Sequence, residues 1–230
     1  MLRDSSFRKG ALVKTSIALI SPLVLVASLA SAKPMPLEAP DPGRGVIGVR
    51  VKVIPPAKMG SNSADAVYFV RIVEEGDRFG AESLIHSNYS KGQHVYLLNA
   101  KPGRYVAVGC DIDMGAGGGR GSVVFSKADI PQTEIEVQAG SIVFMGEIEA
   151  QSSTKTSQAD EAQAHYLRLI APTAANKGFM SRAMSGNYAY TSLFQSVARD
   201  EATATAFWGE AVEKHFKNEP EWRSRIAGTH

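Results

Sequence analysis

The side chains of this 230-residue chain that could do chemistry are few and dispersed. Its five histidines, His86, His94, His165, His215 and His230, form no H-E-x-x-H pair and show no metal-ligand spacing, so a zinc site would have to be assembled from distant elements, and no metal or cofactor is expected. No serine sits in G-x-S-x-G, and neither S-x-x-K tetrad, at residues 6–9 or 152–155, reads as a penicillin-recognising site, which removes the two most recognisable serine enzymes. The one cysteine, Cys110, lies beside Val106 and Val108 on the same face of an apolar run with no cation next to it, where a thiol behaves as a small hydrophobe rather than a nucleophile. The unusual segment is 111–122, Asp-Ile-Asp-Met-Gly-Ala-Gly-Gly-Gly-Arg-Gly-Ser. Its glycines let backbone N–H groups approach an anion, Arg120 adds a charge-assisted contact, and Asp111 with Asp113 offers hard oxygen ligands for calcium. Neither a P-loop nor G-x-G-x-x-G is matched, and a calcium loop begun at Asp111 would place Ser122 where a bidentate Glu belongs. Asp111, Asp113 and Arg120 are thus the candidate ligand-binding residues, against the plain alternative of a flexible connection.

These residues must be positioned by a scaffold whose sequence divides by composition. From Gly45 to about Ala150, apolar residues recur with period two: Val49, Val51 and Val53 alternate with Arg50 and Lys52, as a half-buried strand requires. The same reading predicts strands over 67–73, 83–86, 94–98, 104–111, 122–125, 133–137 and 141–148, with tight turns at Lys101-Pro102-Gly103 and Ala139-Gly140. About eight short strands with no helix between them predict an antiparallel β-sandwich over 45–150. A polar linker, 151–157, leads into a helical C-terminal region, 158–228, giving an α+β class overall. Helices are predicted from Ser157 to Ile170, from Thr173 to Met184, and from about Tyr190 onward with Asp200 as a fresh cap, followed by a last helix opened by Asn218 and Glu221 and closed by Gly228. Tyr188, Tyr190, Phe194, Phe207, Trp208 and Trp222 crowd this tail and are expected to cover the sheet or join the helices.

The N-terminus reads as an address. Arg3, Arg8, Lys9 and Lys14 precede an apolar run from Ile17, and Ala30-Ser31-Ala32 supplies a signal-peptidase site, so residues 1–32 are expected to be a cleaved signal peptide and the product periplasmic or secreted. Ser21 and Pro22 interrupt the run, which argues against an uncleaved membrane span. Four prolines in 33–44 suggest an extended tether. Cleavage takes Lys plus Arg from 25 to 21 and Asp plus Glu from 23 to 22, changing the net charge from +2 to −1. With no basic surplus or Lys/Arg run, nucleic acid is not an expected partner. One cysteine makes no internal disulfide, so about 200 residues must be held by their apolar core.

Val-Tyr-Phe-Val-Arg at 67–71, His-Val-Tyr-Leu-Leu at 94–98, Lys-Pro-Gly-Arg-Tyr at 101–105 and Ala-Gly-Ser-Ile-Val-Phe at 139–144 together resemble the transthyretin-like or carboxypeptidase-regulatory-like sandwiches of bacterial envelope proteins. The likeness covers about half the mature chain, implies an accessory or binding module, and brings no catalytic residues; the helical tail departs from it. The expectation is therefore a non-enzymatic envelope protein that binds another envelope protein or a small ligand. Two alternatives stand beside it: small-ligand or calcium binding through 111–122, and a hydrolase whose site converges from separate elements, with His94, Asp111 or His165 as candidate participants.

Overall fold

Along the first strand, β1 (Gly45–Ile54), the side chains of Ile47, Val49, Val51 and Val53 enter one apolar core while Val46 joins another, because successive residues of an extended chain point to opposite faces. The computed structural model describes residues 37–56, 62–72, 84–114, 119–172 and 187–228. The proposed signal peptide and the helix expected over 173–184 lie outside these residues.

Among the described residues ten strands form one sheet: β1, β2 (Asn62–Ile72), β3 (Ile85–His86), β4 (Tyr89–Lys91), β5 (His94–Ala100), β6 (Gly103–Asp113), β7 (Arg120–Val124), β8 (Ile135–Val137), β9 (Ile142–Ser153) and β10 (Asn187–Ala198). Six of them close on themselves in the order β1-β2-β6-β7-β10-β9 and back to β1. The expected antiparallel sandwich is therefore corrected to a closed barrel with a mixed sheet: β1 runs parallel to β9 and β7 parallel to β10, while the other ring pairings are antiparallel. The correction has a specific origin. The sequence predicts a helix from about Tyr190, but 187–198 is a strand inserted between β7 and β9, and it turns an open sheet into a ring. Alternating burial cannot distinguish the two architectures, since a barrel interior and a sandwich core both take every second residue.

Two further expectations change. Lys101-Pro102-Gly103 and Ala139-Gly140 do turn the chain, but they join β5 to β6 and β8 to β9, pairs that share no ladder; they are crossings between different parts of the ring and not hairpins. Part of the expected linker extends a strand, because β9 continues to Ser153, ahead of a 3₁₀ turn at Thr156–Gln158.

The ring encloses most of the core, including Phe69, Val106, Val108, Val123, Met145 and Ile148. Helix α1 (Glu161–Ile170) contributes Tyr166 and Leu167 to the same cluster. It starts at Asp160 and not at Ser157: the Asp160 carboxylate accepts from the Gln163 N–H at 2.8 Å, and the Gln163 side chain accepts from the Asp160 N–H at 3.0 Å.

A second cluster lies between β1, β5 and the C-terminal helices α2 (Glu201–Glu210) and α3 (Pro220–Ala227). Phe207, Trp208, Phe216, Trp222 and Ile226 pack there against Val46, Tyr96 and Leu98, so the helical region docks on the sheet. Asp200 caps α2 as expected, accepting from the Thr203 N–H. The predicted box at Asn218 is absent: α3 begins at Pro220 after Glu219, with no side-chain cap. Gly48 is what lets α2 come this close, since a Cβ there would stand 2.5 Å from Phe207 Cε1 and 2.6 Å from Trp208 Cη2. Of the proline-rich lead, residues 38–44 are held by side chains from elsewhere: Asn99 bonds Asp41 N–H and Ala39 C=O, Trp222 Nε1 donates to Glu38 C=O, and Arg225 donates to the carbonyls of Asp41 and Arg44. Among the described residues no helix is long and apolar enough to cross a membrane.

Candidate functional site

The glycine-rich segment is the connection of a β-hairpin. β6 and β7 pair antiparallel with Asp111 opposite Ser122 and Asp113 opposite Arg120, and Met114 N–H closes the end on Gly119 C=O at 3.0 Å. Residues 115–118 lie outside the described set. This register puts all three sequence-predicted residues, with Ser122, on one face, because positions two apart in a strand share a side. Asp111 is held from two directions: the Tyr68 hydroxyl of β2 donates to Oδ2 at 2.6 Å and the Ser122 hydroxyl donates to Oδ1 at 2.7 Å. Burial, and then the hydrogen bond to Asp111, pushes the Tyr68 hydroxyl well above its ordinary pKa, so it stays a donor at neutral pH.

Around this group the protein surrounds a cleft of about 220 Å³. Tyr68, Asp111, Arg120 and Ser122 form one wall, Asn187 and Tyr188 of β10 another, and the end of α1 at Ile170–Pro172 the rim. Arg120 is exposed and lines the cleft without a hydrogen bond or ion pair to any described residue. A cation, a carboxylate anchored by two hydroxyls, a further tyrosine and an amide therefore line a space sized for a small polar molecule. Asp113 shares the face but does not line the cleft, and no third metal-ligating side chain joins Asp111 and Asp113 among the described residues.

The histidines assemble a second polar centre that the sequence spacing did not reveal. His94 on β5, Glu210 at the end of α2 and His215 have ligand atoms all within 4.8 Å of one another. Between Glu210 and α3 the chain makes a π-helical turn over Ala211–His215, marked by the five-residue bond from Phe216 N–H to Ala211 C=O at 2.9 Å. Residues five apart lie about 140° apart around an α-helix. The wider π turn reduces that angle and brings Glu210 and His215 toward one side, which is why no regular helical spacing announced the pair.

Arg50 of β1 lies at the middle of this centre. Its Nη2 donates to His94 Nε2 at 3.0 Å and to Glu210 Oε2 at 3.3 Å, and its Nη1 donates to Glu147 of β9 at 3.3 Å. His94 is 1 % exposed, and burial, reinforced by Arg50, depresses its pKa to about 3, so it is neutral and accepts from Arg50. Its Nδ1 is buried without a hydrogen-bond partner among the described residues. His215 is also buried, which lowers its pKa; its Nδ1 is 2.8 Å from the Tyr96 hydroxyl. Lys214 holds Glu210 below the usual carboxylate range through a hydrogen bond at 3.2 Å.

The three hydrolase candidates do not converge. His94 belongs to the Arg50 centre, Asp111 to the cleft, and His165 to a separate pocket with Lys127, Glu161 and Arg168. Cys110 is fully buried and its thiol is pushed up by burial and then by Asp111, which keeps it protonated and inert.

The fold and its sites thus define a mixed-sheet β-barrel carrying a polar cleft at one hairpin and a buried histidine-carboxylate centre under its C-terminal helices. No protein-family model, curated protein or solved structure matches the chain.

Proposed function

We propose that this chain is a non-enzymatic binding module of the cell envelope that takes a small polar ligand bearing an anionic group in the cleft at the β6–β7 hairpin. The observation that carries this reading is Arg120, a cation lining the cleft with no partner among the described residues, beside an Asp111 carboxylate already anchored by Tyr68 and Ser122. An unpaired guanidinium next to fixed acceptors and hydroxyls suits a molecule presenting a carboxylate or phosphate to Arg120 and an amine or hydroxyl to Asp111. Export to the periplasm or beyond belongs to the same reading and is supported by the charged, apolar and small-residue order of the first 32 residues.

The test is thermal shift and calorimetry of the chain from residue 33 against L-serine, glycerol phosphate and inorganic phosphate. A ligand present at one hundred times its Kd should stabilise the protein by about 2.7 kcal/mol. Arg120→Ala should remove the shift, and Asp111→Asn should weaken amines more than plain phosphate. Absence of any saturable binding, or binding that Arg120→Ala leaves unchanged, would sink the reading.

A further inference from the structure

We propose that His94, Glu210 and His215 form a binding site for a divalent late transition metal, zinc in particular, and that Arg50 is a built-in cation competing for it. Two imidazoles and one carboxylate make a donor set typical of zinc and unsuited to calcium or magnesium, which prefer oxygen alone. The geometry is close to what the metal needs. With bonds of about 2.0–2.1 Å, tetrahedral ligand atoms stand roughly 3.4 Å apart, and His94 Nε2 lies 3.6 Å from Glu210 Oε2. The His215 ligand nitrogen lies within 4.8 Å of the other two ligand atoms, so a shift of up to about 1.4 Å completes the triad.

Three features resemble a built site more than a chance cluster. Tyr96 engages His215 Nδ1 at 2.8 Å, which fixes the ring and leaves Nε2 to coordinate, as outer partners of metal-bound imidazoles do. Both histidines are buried in an aromatic wall, with Phe207 4.2 Å from the His94 ring and the two imidazoles 4.4 Å apart, edge to face. Glu210 is positioned by a π turn, a geometry often found at functional sites.

Arg50 explains how such a site is stable without metal. Its Nη2 stands where a cation would, satisfying His94 and Glu210, while its Nη1 already holds Glu147. Metal entry needs the guanidinium to release the first two groups and keep the third. The site shares no residue with the cleft, so it stands or falls separately from the ligand-binding reading.

The experiment is a Co²⁺ titration of chelator-treated protein followed by visible absorption, with Zn²⁺ competition, in the parent chain and in Arg50→Met, Glu210→Gln, His215→Asn and Tyr96→Phe. Circular dichroism and melting in chelator establish that each variant is folded. We expect one-to-one binding, at least tenfold tighter in Arg50→Met, at least tenfold weaker in Glu210→Gln and His215→Asn, and weakened in Tyr96→Phe. The assignment is overturned if neither the parent nor Arg50→Met binds saturably, or if His215→Asn binds within twofold of the parent. Equal affinity in the parent and Arg50→Met overturns the role given to Arg50.

Discussion

Two glycines, one inside the contact and one on the solvent side of the helix that makes it, allow the docking of the C-terminal helices to be tested by the sign of an effect as well as its size. At Gly48 an added Cβ would come within 2.5 Å of Phe207 and 2.6 Å of Trp208, distances that side chains do not tolerate without displacement. Both rings are buried and wedged among Tyr96, Ala211 and Phe216, so they have little room to give. Overpacking of this kind costs about 1–3 kcal/mol. Gly209, one residue beyond Trp208 in α2, is exposed and has nothing within 4 Å of an added Cβ. There, alanine should stabilise by about 0.5–1 kcal/mol through helix propensity alone. For a chain of this size each kcal/mol moves Tm by roughly 2–4 °C. Gly48→Ala should therefore lower Tm by about 2–12 °C, and Gly209→Ala should raise it by about 1–4 °C, both read by differential scanning calorimetry. Hydrogen exchange should also rise across 201–227 in Gly48→Ala while the barrel strands keep their protection, because the strain is placed between the helices and the sheet. If Gly48→Ala melts with the parent, or the two alanines shift Tm in the same direction, the close packing of α2 on β1 is wrong.

Other perturbations follow from single contacts. Asp160→Ala removes the reciprocal cap of α1 and should cost about 0.5–2 kcal/mol, measured as a lowered urea midpoint with an unchanged slope. Asn99 holds φ at +57° while bonding Asp41 and Ala39, so Asn99→Ala should lose both bonds and add backbone strain; Asn99→Gly, which loses the bonds but not the conformational freedom, should melt higher than the alanine variant. The pKa of Tyr68 is raised in the fold, so the folded state keeps its proton after the unfolded chain has begun to lose it. Its contribution is present below about pH 10 and falls as pH rises beyond that value. Denaturant titrations between pH 9 and 11 should show a steeper alkaline loss in the parent than in Tyr68→Phe, and parallel curves would contradict the burial of that hydroxyl.

How much of this could be read from the residues follows from which signals are local. The alternation of Val49, Val51 and Val53 with Arg50 and Lys52 places one face in the core and the other against helices and carboxylates, and the structure agrees. Asp200 at the head of α2 is equally local. The helix expected from Tyr190 is instead a strand, because the state of 187–198 is decided by two strand edges contributed from far away in sequence, at Arg120–Val124 and Glu147–Ser153. The parallel pairing of β1 with β9 has no local signature at all. Among site residues, Asp111 and Arg120 stood out by composition, but Tyr68 and Ser122 became their neighbours only through strand register. Arg50, Glu210 and His215 were invisible as a group because one comes from β1 and the other two depend on a π turn.

The position of β10 in the ring also sets the order in which the barrel can be completed. It is the last strand of the chain, yet it sits between β7 and β9, so neither of those strands has its full set of neighbours until residue 198 has been made. Until then the nascent sheet presents two open ladders that can pair with another copy of the same chain. Closure depends on contacts between segments separated by dozens of residues, β10 meeting β7 and β1 meeting β9, so assembly should be slow for the size of the molecule. A chain ending before Asn187 would keep most of its strands but leave the seam unsealed, and its fate should be self-association through those edges.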